Sequence, residues 1–419
     1  MLNYVSKNSK IKEMSSPLGD RAINWKQNLN VLWFGTFVAG IGFSSISPFI
    51  ALFIGQLGDY NATQTSIYSG MAFAAPFLVK MIVSPLWGIL ADKYGRKPML
   101  LRASLGMAVV IGAMSLVTSA WQLIVLRLLQ GVFSGFISNA NALVAAETPK
   151  SHVGHASGKL ATGNVSGTLI GPMIGGLIAD TFGYRYTFLI TGLAMLVAFV
   201  LSIFFVHENF KPVPHEKGEK QPHFLSGIPT KQILFGMFLT TLFIQATNNS
   251  ISPILSLYVK QLDPTSTNIA LTAGIIQAIN GVAMISVAPF FGRLGDKIGS
   301  HQILKFGLVF SMGVFFLTTF VQNVWQLGTL RFLIGISDAA LLPTVQAILA
   351  KYSPHDRISQ VFSWNQSFQA AGNVTGPMIG SAVVLIGGYR GVFIATTILA
   401  GINLFLVRKN IKSIETDKN

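Results

Sequence analysis

Twelve runs of mostly apolar residues, each long enough to cross a bilayer as a helix, leave this chain few ways to fold. A spanning helix needs about 20 such residues, because the hydrocarbon layer is about 30 Å thick and each helical residue rises about 1.5 Å. The runs fall near 29–53, 67–90, 99–117, 122–146, 157–179, 185–206, 233–258, 269–290, 302–320, 325–350, 361–385 and 389–407. They are continuous, whereas a membrane β-barrel would read as short alternating segments. Hydrocarbon offers the backbone no hydrogen-bond partner, so the expected fold is an all-α membrane protein of twelve transmembrane helices. Composition agrees: 51% of the residues are hydrophobic and 11% charged, against about 25% charged in a soluble domain.

The basic residues are sorted to one side of this array. Of 30 Lys and Arg, 24 fall in the termini and the loops that share their side, and only Arg185, Lys260 and Arg390 fall in the opposite loops. Cytoplasmic loops carry the positive excess, so both termini are expected in the cytoplasm. The net charge of +15 is then a topology signal, and no nucleic-acid partner is expected. Residues 1–28 are polar and hold Lys7, Lys10, Lys12, Arg21 and Lys26, without the short apolar core and cleavage site of a removable signal. The absence of cysteine excludes disulfides, Cys-ligated metals, thiol catalysis and S-linked lipids.

Residues 207–232, with Pro212, Pro214, Pro222 and several charges, read as a polar linker. It separates a six-helix bundle at 29–206 from a second at 233–407, followed by a tail at 408–419. The halves repeat at an offset of 204 residues: Gly88, Asp92, Lys93 and Gly95 align with Gly292, Asp296, Lys297 and Gly299, Trp121-Gln122-Leu123 with Trp325-Gln326-Leu327, and Arg127 and Gly131 with Arg331 and Gly335. At an offset of 205, Gly171-Pro172-Met173-Ile174 matches Gly376-Pro377-Met378-Ile379. Each copy has an even number of spans, so both insert the same way up. They can then face each other across a site between them. Such a chain is expected to work as a monomer.

Charges inside spans are costly, roughly 2.5–3.5 kcal/mol at the membrane centre even on lenient scales, and so mark function. Four stand out: Lys80, Arg127, Arg331 and Asp338. Asp338 is the acid deepest in a span, and Arg331 lies two helical turns earlier on nearly the same face. Burial and a neighbouring cation act in opposite directions on a carboxyl's hold on its proton. Asp338 is therefore the candidate proton carrier; the plain alternative is a permanently charged partner of Arg331. Lys80 is a candidate for the substrate cavity, with Gln245, Asn248, Gln277, Asn365 and Gln369 as polar lining; others of these amides join helices to one another. Gly167, Gly171 and Gly175 share one helix face and read as a close-packed seam, placed between the halves, with Pro172 inviting a kink. Gly88 and Gly95 permit close approach and a sharp reversal.

The fragment Gly88-Ile89-Leu90-Ala91-Asp92-Lys93-Tyr94-Gly95-Arg96-Lys97 resembles the loop signature of the major facilitator superfamily. Arg127-Leu128-Leu129-Gln130-Gly131 resembles a second signature, and Gly167 through Gly171-Pro172 to Gly175-Gly176 resembles the one associated with the family's drug:proton antiporters. Phrases such as Asn139-Ala140-Asn141-Ala142-Leu143 are similar to bacterial multidrug exporters. The resemblance covers essentially the whole chain. It implies efflux of small amphipathic molecules from a bacterial cell in exchange for protons, by alternating access at the plasma membrane, without a cofactor. It also implies that Asp92, with Gly88, Gly95, Arg96 and Lys97, gates the inner face by contact with the opposite half, with Asp296 as its counterpart. Arg127 joins Arg331 and Asp338 in proton coupling. Ser300 and His301 replace the basic pair in the second half, which weakens the pattern there.

The rival on the same fold is a proton-linked importer or exporter of one metabolite. An ATP-driven pump is excluded: Gly154-His155-Ala156-Ser157-Gly158-Lys159-Leu160 is one residue short of a phosphate loop and ends in Leu. No His-Glu-x-x-His or other metal spacing supports an enzyme, and a non-transporting sensor has no motif in its favour.

Overall fold

The computed structural model describes residues 24–149, 152–210, 230–354 and 358–416. The first 23 residues of the expected N-terminal segment and 211–229 of the expected linker lie outside them. Helices in chain order are α1 (Trp25–Ser44), α2 (Ile50–Gln56), α3 (Ala62–Tyr94), α4 (Arg96–Met114), α5 (Ala120–Val132), α6 (Phe136–Glu147), α7 (Val153–Phe182), α8 (Tyr184–Phe205), α9 (Lys231–Asn249), α10 (Leu255–Leu262), α11 (Ile269–Ile298), α12 (Ser300–Thr318), α13 (Val324–Tyr352) and α14 (Ile358–Thr416).

Among the described residues nine stretches are long and apolar enough to span a membrane. The last, Trp364–Lys409, holds two spans, because Gly388 breaks α14 with φ 60°. The first and seventh spans are each split in two, α1 with α2 and α9 with α10, which completes the twelve. Both splits fall on the same tetrapeptide, Ser45-Ile46-Ser47-Pro48 and Ser250-Ile251-Ser252-Pro253. Proline has no N–H to give and clashes with the preceding turn, so each helix ends there. The fourth span is split at Gly135, with φ 115°. The carbonyls freed at that break accept from Trp87 Nε1 at 2.9 Å and Arg102 Nη2 at 3.1 Å.

Four reversals are made on single glycines with positive φ: Gly95, Gly183, Gly299 and Gly388. A side chain in that conformation would be strained. The helices run on past the apolar limits of the spans. α1 begins at Trp25, inside the expected N-terminal segment, and α14 continues to Thr416 through most of the expected tail. Phe204, Trp325, Ile386 and Phe405 are among the large apolar side chains left exposed, as an apolar solvent allows.

Each half is built around its own seam of glycines. Gly167, Gly171 and Gly175 of α7 meet Phe37, Ile41 and Ser45 of the first span. Gly372, Gly376 and Gly380 of α14 meet Leu242, Ala246 and Ser250 of the seventh span. The whole seam is repeated at one offset, 205 residues. This corrects the expectation that Gly167, Gly171 and Gly175 lie between halves. They face a helix of their own half, because the first and fifth spans need backbone-to-backbone approach to pack without a hydrophobic driving force in lipid.

Close contacts between the halves run from the middle of the membrane, where Gly281 meets Leu169, to one end. Call the end with the Lys-rich loops the basic face and the other the far face. Toward the far face Gly176 meets Ala270 and Leu271, Gly274 meets Pro172 and Met173, and Gly70 meets Ser381 and Pro377. Toward the basic face Gly88, Gly158 and Gly292 have nothing within 4 Å of where a Cβ would stand. The far face is thus closed by contact between the halves.

Candidate functional site

Asp338 lies in the middle of α13 and is 4% exposed. Its two carboxylate oxygens accept from the side-chain amides of Asn248 on α9 at 2.8 Å and Asn280 on α11 at 3.2 Å. Three helices of the second half thus converge on one carboxyl. The arrangement suits an ionised group, since both oxygens serve as acceptors. Adding a proton turns one of them into a donor and weakens one amide bond.

Arg331 sits on the same face of α13 and is 6% exposed. Its Nε and Nη2 are buried without a hydrogen-bond acceptor. The carboxylate of Asp338 is therefore held by neutral amides rather than clasped by this guanidinium. Both residues line a cavity of about 210 Å³, together with Gln245, Asn249, Ser252 and Gln277. Gln277 Nε2 donates to Ser47 Oγ of the first half at 3.0 Å, which ties the cavity wall to the sealed far face. Ser252 belongs to the break of the seventh span, whose Ser-Ile-Ser-Pro repeat was the available sequence signal for it.

The remaining polar candidates are distributed otherwise. Asn365 is buried and accepts from Thr241 Oγ1 at 2.8 Å, so it joins α14 to α9 rather than lining the cavity. Gln369 is half-buried and Lys80 exposed, and neither lines the cavity; the Lys80 ammonium stands 5.7 Å from the ring of Phe43. Asn249, another amide of the seventh span, donates to Asn373 Oδ1 at 2.9 Å and so joins α9 to α14.

Arg127 lies apart from Asp338, inside the first half. It donates from Nε to the Ala72 carbonyl at 2.9 Å and from Nη1 to Gln130 Oε1 at 2.6 Å. Gln130 in turn reaches the Gly42 carbonyl at 3.4 Å. The fourth, second and first spans are thereby tied by one buried cation.

Of the gating residues, the side chains of Asp92 and Asp296 lie outside the described part of the structure. Gly95 makes the reversal expected of it, whereas Gly88 has nothing within 4 Å of where a Cβ would stand. The turn at Arg96 and Lys97 is held by a residue that sequence reasoning missed. Glu208, just beyond α8, accepts from the backbone N–H of Arg96 at 2.9 Å and of Lys97 at 2.7 Å. A carboxylate at the N-terminus of α4 satisfies donors that a helix leaves unpaired.

The Major Facilitator Superfamily profile matches residues 32–263 and 233–418. The chain belongs to this superfamily. Among its relatives is the multidrug resistance protein MdtG of Salmonella dublin, 45% identical over 386 residues, covering 92% of this chain and 95% of the relative. The MdtG of Citrobacter koseri is also 45% identical, covering 92% and 94%. Among solved structures, a bacterial homologue of the human lysosomal transporter Spinster, inward-facing and occupied, superposes with a TM-score of 0.77 at 14% identity, covering 92% of this chain and 96% of the other. A POT family transporter in complex with 5-aminolevulinic acid gives 0.77 at 15%, with the same coverage. At such identities the likeness speaks for the fold. This member of the superfamily is a multi-pass membrane transporter and not an enzyme.

Proposed function

We propose that the chain expels small amphipathic compounds from the cell in exchange for protons, moving between a state open at the basic face and one open at the far face. Efflux of several drug-like compounds is the reading that fits relatives named for multidrug resistance along 92% of the chain. With the basic face cytoplasmic, as the positive-inside rule requires, the sealed far face makes this the substrate-loading state. The chain sits in the plasma membrane of a bacterium with both termini in the cytoplasm. One copy suffices in this reading, with the path running between its own two halves.

The observation that carries proton coupling is Asp338, buried at the meeting of α9, α11 and α13, with its hydrogen bonds among the described residues coming from the amides of Asn248 and Asn280. A proton on Asp338 loosens Asn248 or Asn280. Asn280 stands on α11, the same helix whose Gln277 reaches Ser47 across the halves. Loss or gain of one proton therefore bears on the contact that seals the far face, which is the differential interaction an exchanger needs. Arg331, on the cavity wall, offers its buried and unpaired Nε and Nη2 to an acceptor group on the substrate once the wall opens over them.

In proteoliposomes, Asp338→Asn folds normally and still exchanges substrate across the membrane, but a pH gradient no longer drives net transport. Full pH-driven transport by Asp338→Asn removes this carboxyl from the mechanism.

A further inference from the structure

The first turn of α11 presents its backbone N–H groups at the far face. Its N-cap residue, Asn268, makes no side-chain cap. The equivalent helix in the first half, α3, solves the same problem within itself. Asn61 accepts from the Gln64 backbone at 2.8 Å, and the Gln64 side chain accepts from the Asn61 backbone at 3.1 Å. Such a reciprocal cap satisfies two of the donors a helix start leaves unpaired. α11 lacks it and takes its cap from the other half of the molecule. Asp180, near the end of α7, accepts from Ala270 N–H at 3.3 Å and Leu271 N–H at 2.7 Å, one through each carboxylate oxygen.

Asp180 lies one helical turn beyond Gly176, whose own contact is with Ala270 and Leu271. Ala270 is fully buried and packs into the hydrophobic core of the first half. Glycine and carboxylate thus form a single socket for the start of α11. The symmetric seam, α3 against α14, has no such acid: at the offset of the repeat, Leu385 stands where Asp180 does. There the contact is Gly70 against Ser381 and Pro377.

We infer that Asp180 is a latch that holds the far face shut, capping α11 from the opposite half in the state seen here and releasing it when the far face opens. It is a positioning residue for transport and touches none of the residues lining the Asp338 cavity. The capped pair combines charge-assisted hydrogen bonds with the favourable helix dipole. It exists only while α7 and α11 are in contact, so its whole strength biases the two-state equilibrium toward the sealed form. Because α3 caps itself, the bias acts on one seam and not on the other.

The latch rests on the alternating-access reading above, and distances across the far face test the two separately. The chain has no cysteine, so spin labels go on Thr118→Cys and Gln322→Cys, exposed in far-face loops of the two halves. In nanodiscs the pair reports a short distance when the face is sealed and a longer one when it opens. For Asp180→Asn the ratio of long to short rises about tenfold, the size of shift that a lost charge-assisted contact carries. Asn268→Asp, which offers α11 a carboxylate cap of its own, shifts the ratio in the same direction with Asp180 intact, and decides the matter if Asp180→Asn does not fold. A latch variant that shifts only the thermal midpoint and leaves the ratio at the wild-type value overturns the latch. A wild-type pair showing one unchanging distance with and without substrate and across pH overturns the alternation itself.

Discussion

Arg127 and Arg331 occupy equivalent places in the two halves, and their surroundings give them different roles. Beside Arg127 stands Gln130, which accepts from it at 2.6 Å. At the position equivalent to Gln130 the second half has Ile334, and Arg331 keeps two donors without an acceptor. Where the first half has Ser134, the second has Asp338. Two substitutions within one helical turn of each other thus separate a structural tie from a working site. Ile334→Gln is expected to give Arg331 the acceptor that Gln130 gives Arg127. Substrate affinity then falls about tenfold, the worth of a competing hydrogen bond to a charged group, while the thermal midpoint holds or rises. Equilibrium binding with a fluorescent substrate checks this; unaltered affinity removes Arg331 from substrate contact.

At the scale of helices, the glycines fall into two sets that the structure distinguishes by what surrounds them. A Cβ on Gly175 would strike the backbone of Ser45, and one on Gly380 the backbone of Ser250. Backbone cannot be turned aside as a side chain can, so Gly175→Ala is expected to destabilise the first half by roughly 1–3 kcal/mol, the usual cost of overpacking. Gly88 and Gly292 meet nothing in the state seen here. Gly88→Ala therefore leaves thermal stability within about 0.5 kcal/mol of wild type, yet slows transport if the basic face must close over it. Thermal unfolding in detergent beside transport in vesicles separates the two kinds of glycine; equal losses of stability would show that they do not differ.

For the whole molecule the decisive feature is the set of contacts that joins the halves at the far face. Gln277 bonds to Ser47, Asp180 caps α11, and Gly176, Gly274 and Gly70 bring backbones together there. Joining the halves at this end should stop the cycle without harming either half. In a Ser47→Cys, Gln277→Cys double variant, a short thiol-reactive cross-linker that carries its own disulfide is expected to abolish transport and a reductant to restore it, with no background from native thiols. Transport that survives complete cross-linking would mean that the far face need not open.

Much of this was legible in the residues in order. Span number and the duplication follow from local apolar length and from matching phrases, because bilayer thickness fixes how much apolar sequence a helix requires. Asp338 stood out because an acid deep in a span carries a cost whatever surrounds it. Only the tertiary structure assigned partners. It placed Gly167, Gly171 and Gly175 against their own half, kept Asn365 out of the cavity, gave Glu208 to the turn at Arg96 and Lys97, and set Asp180 on a helix of the opposite half. A sequence states what each face of a helix offers. Which face meets which depends on helices that lie far apart in the chain, and on which end of the two halves is closed.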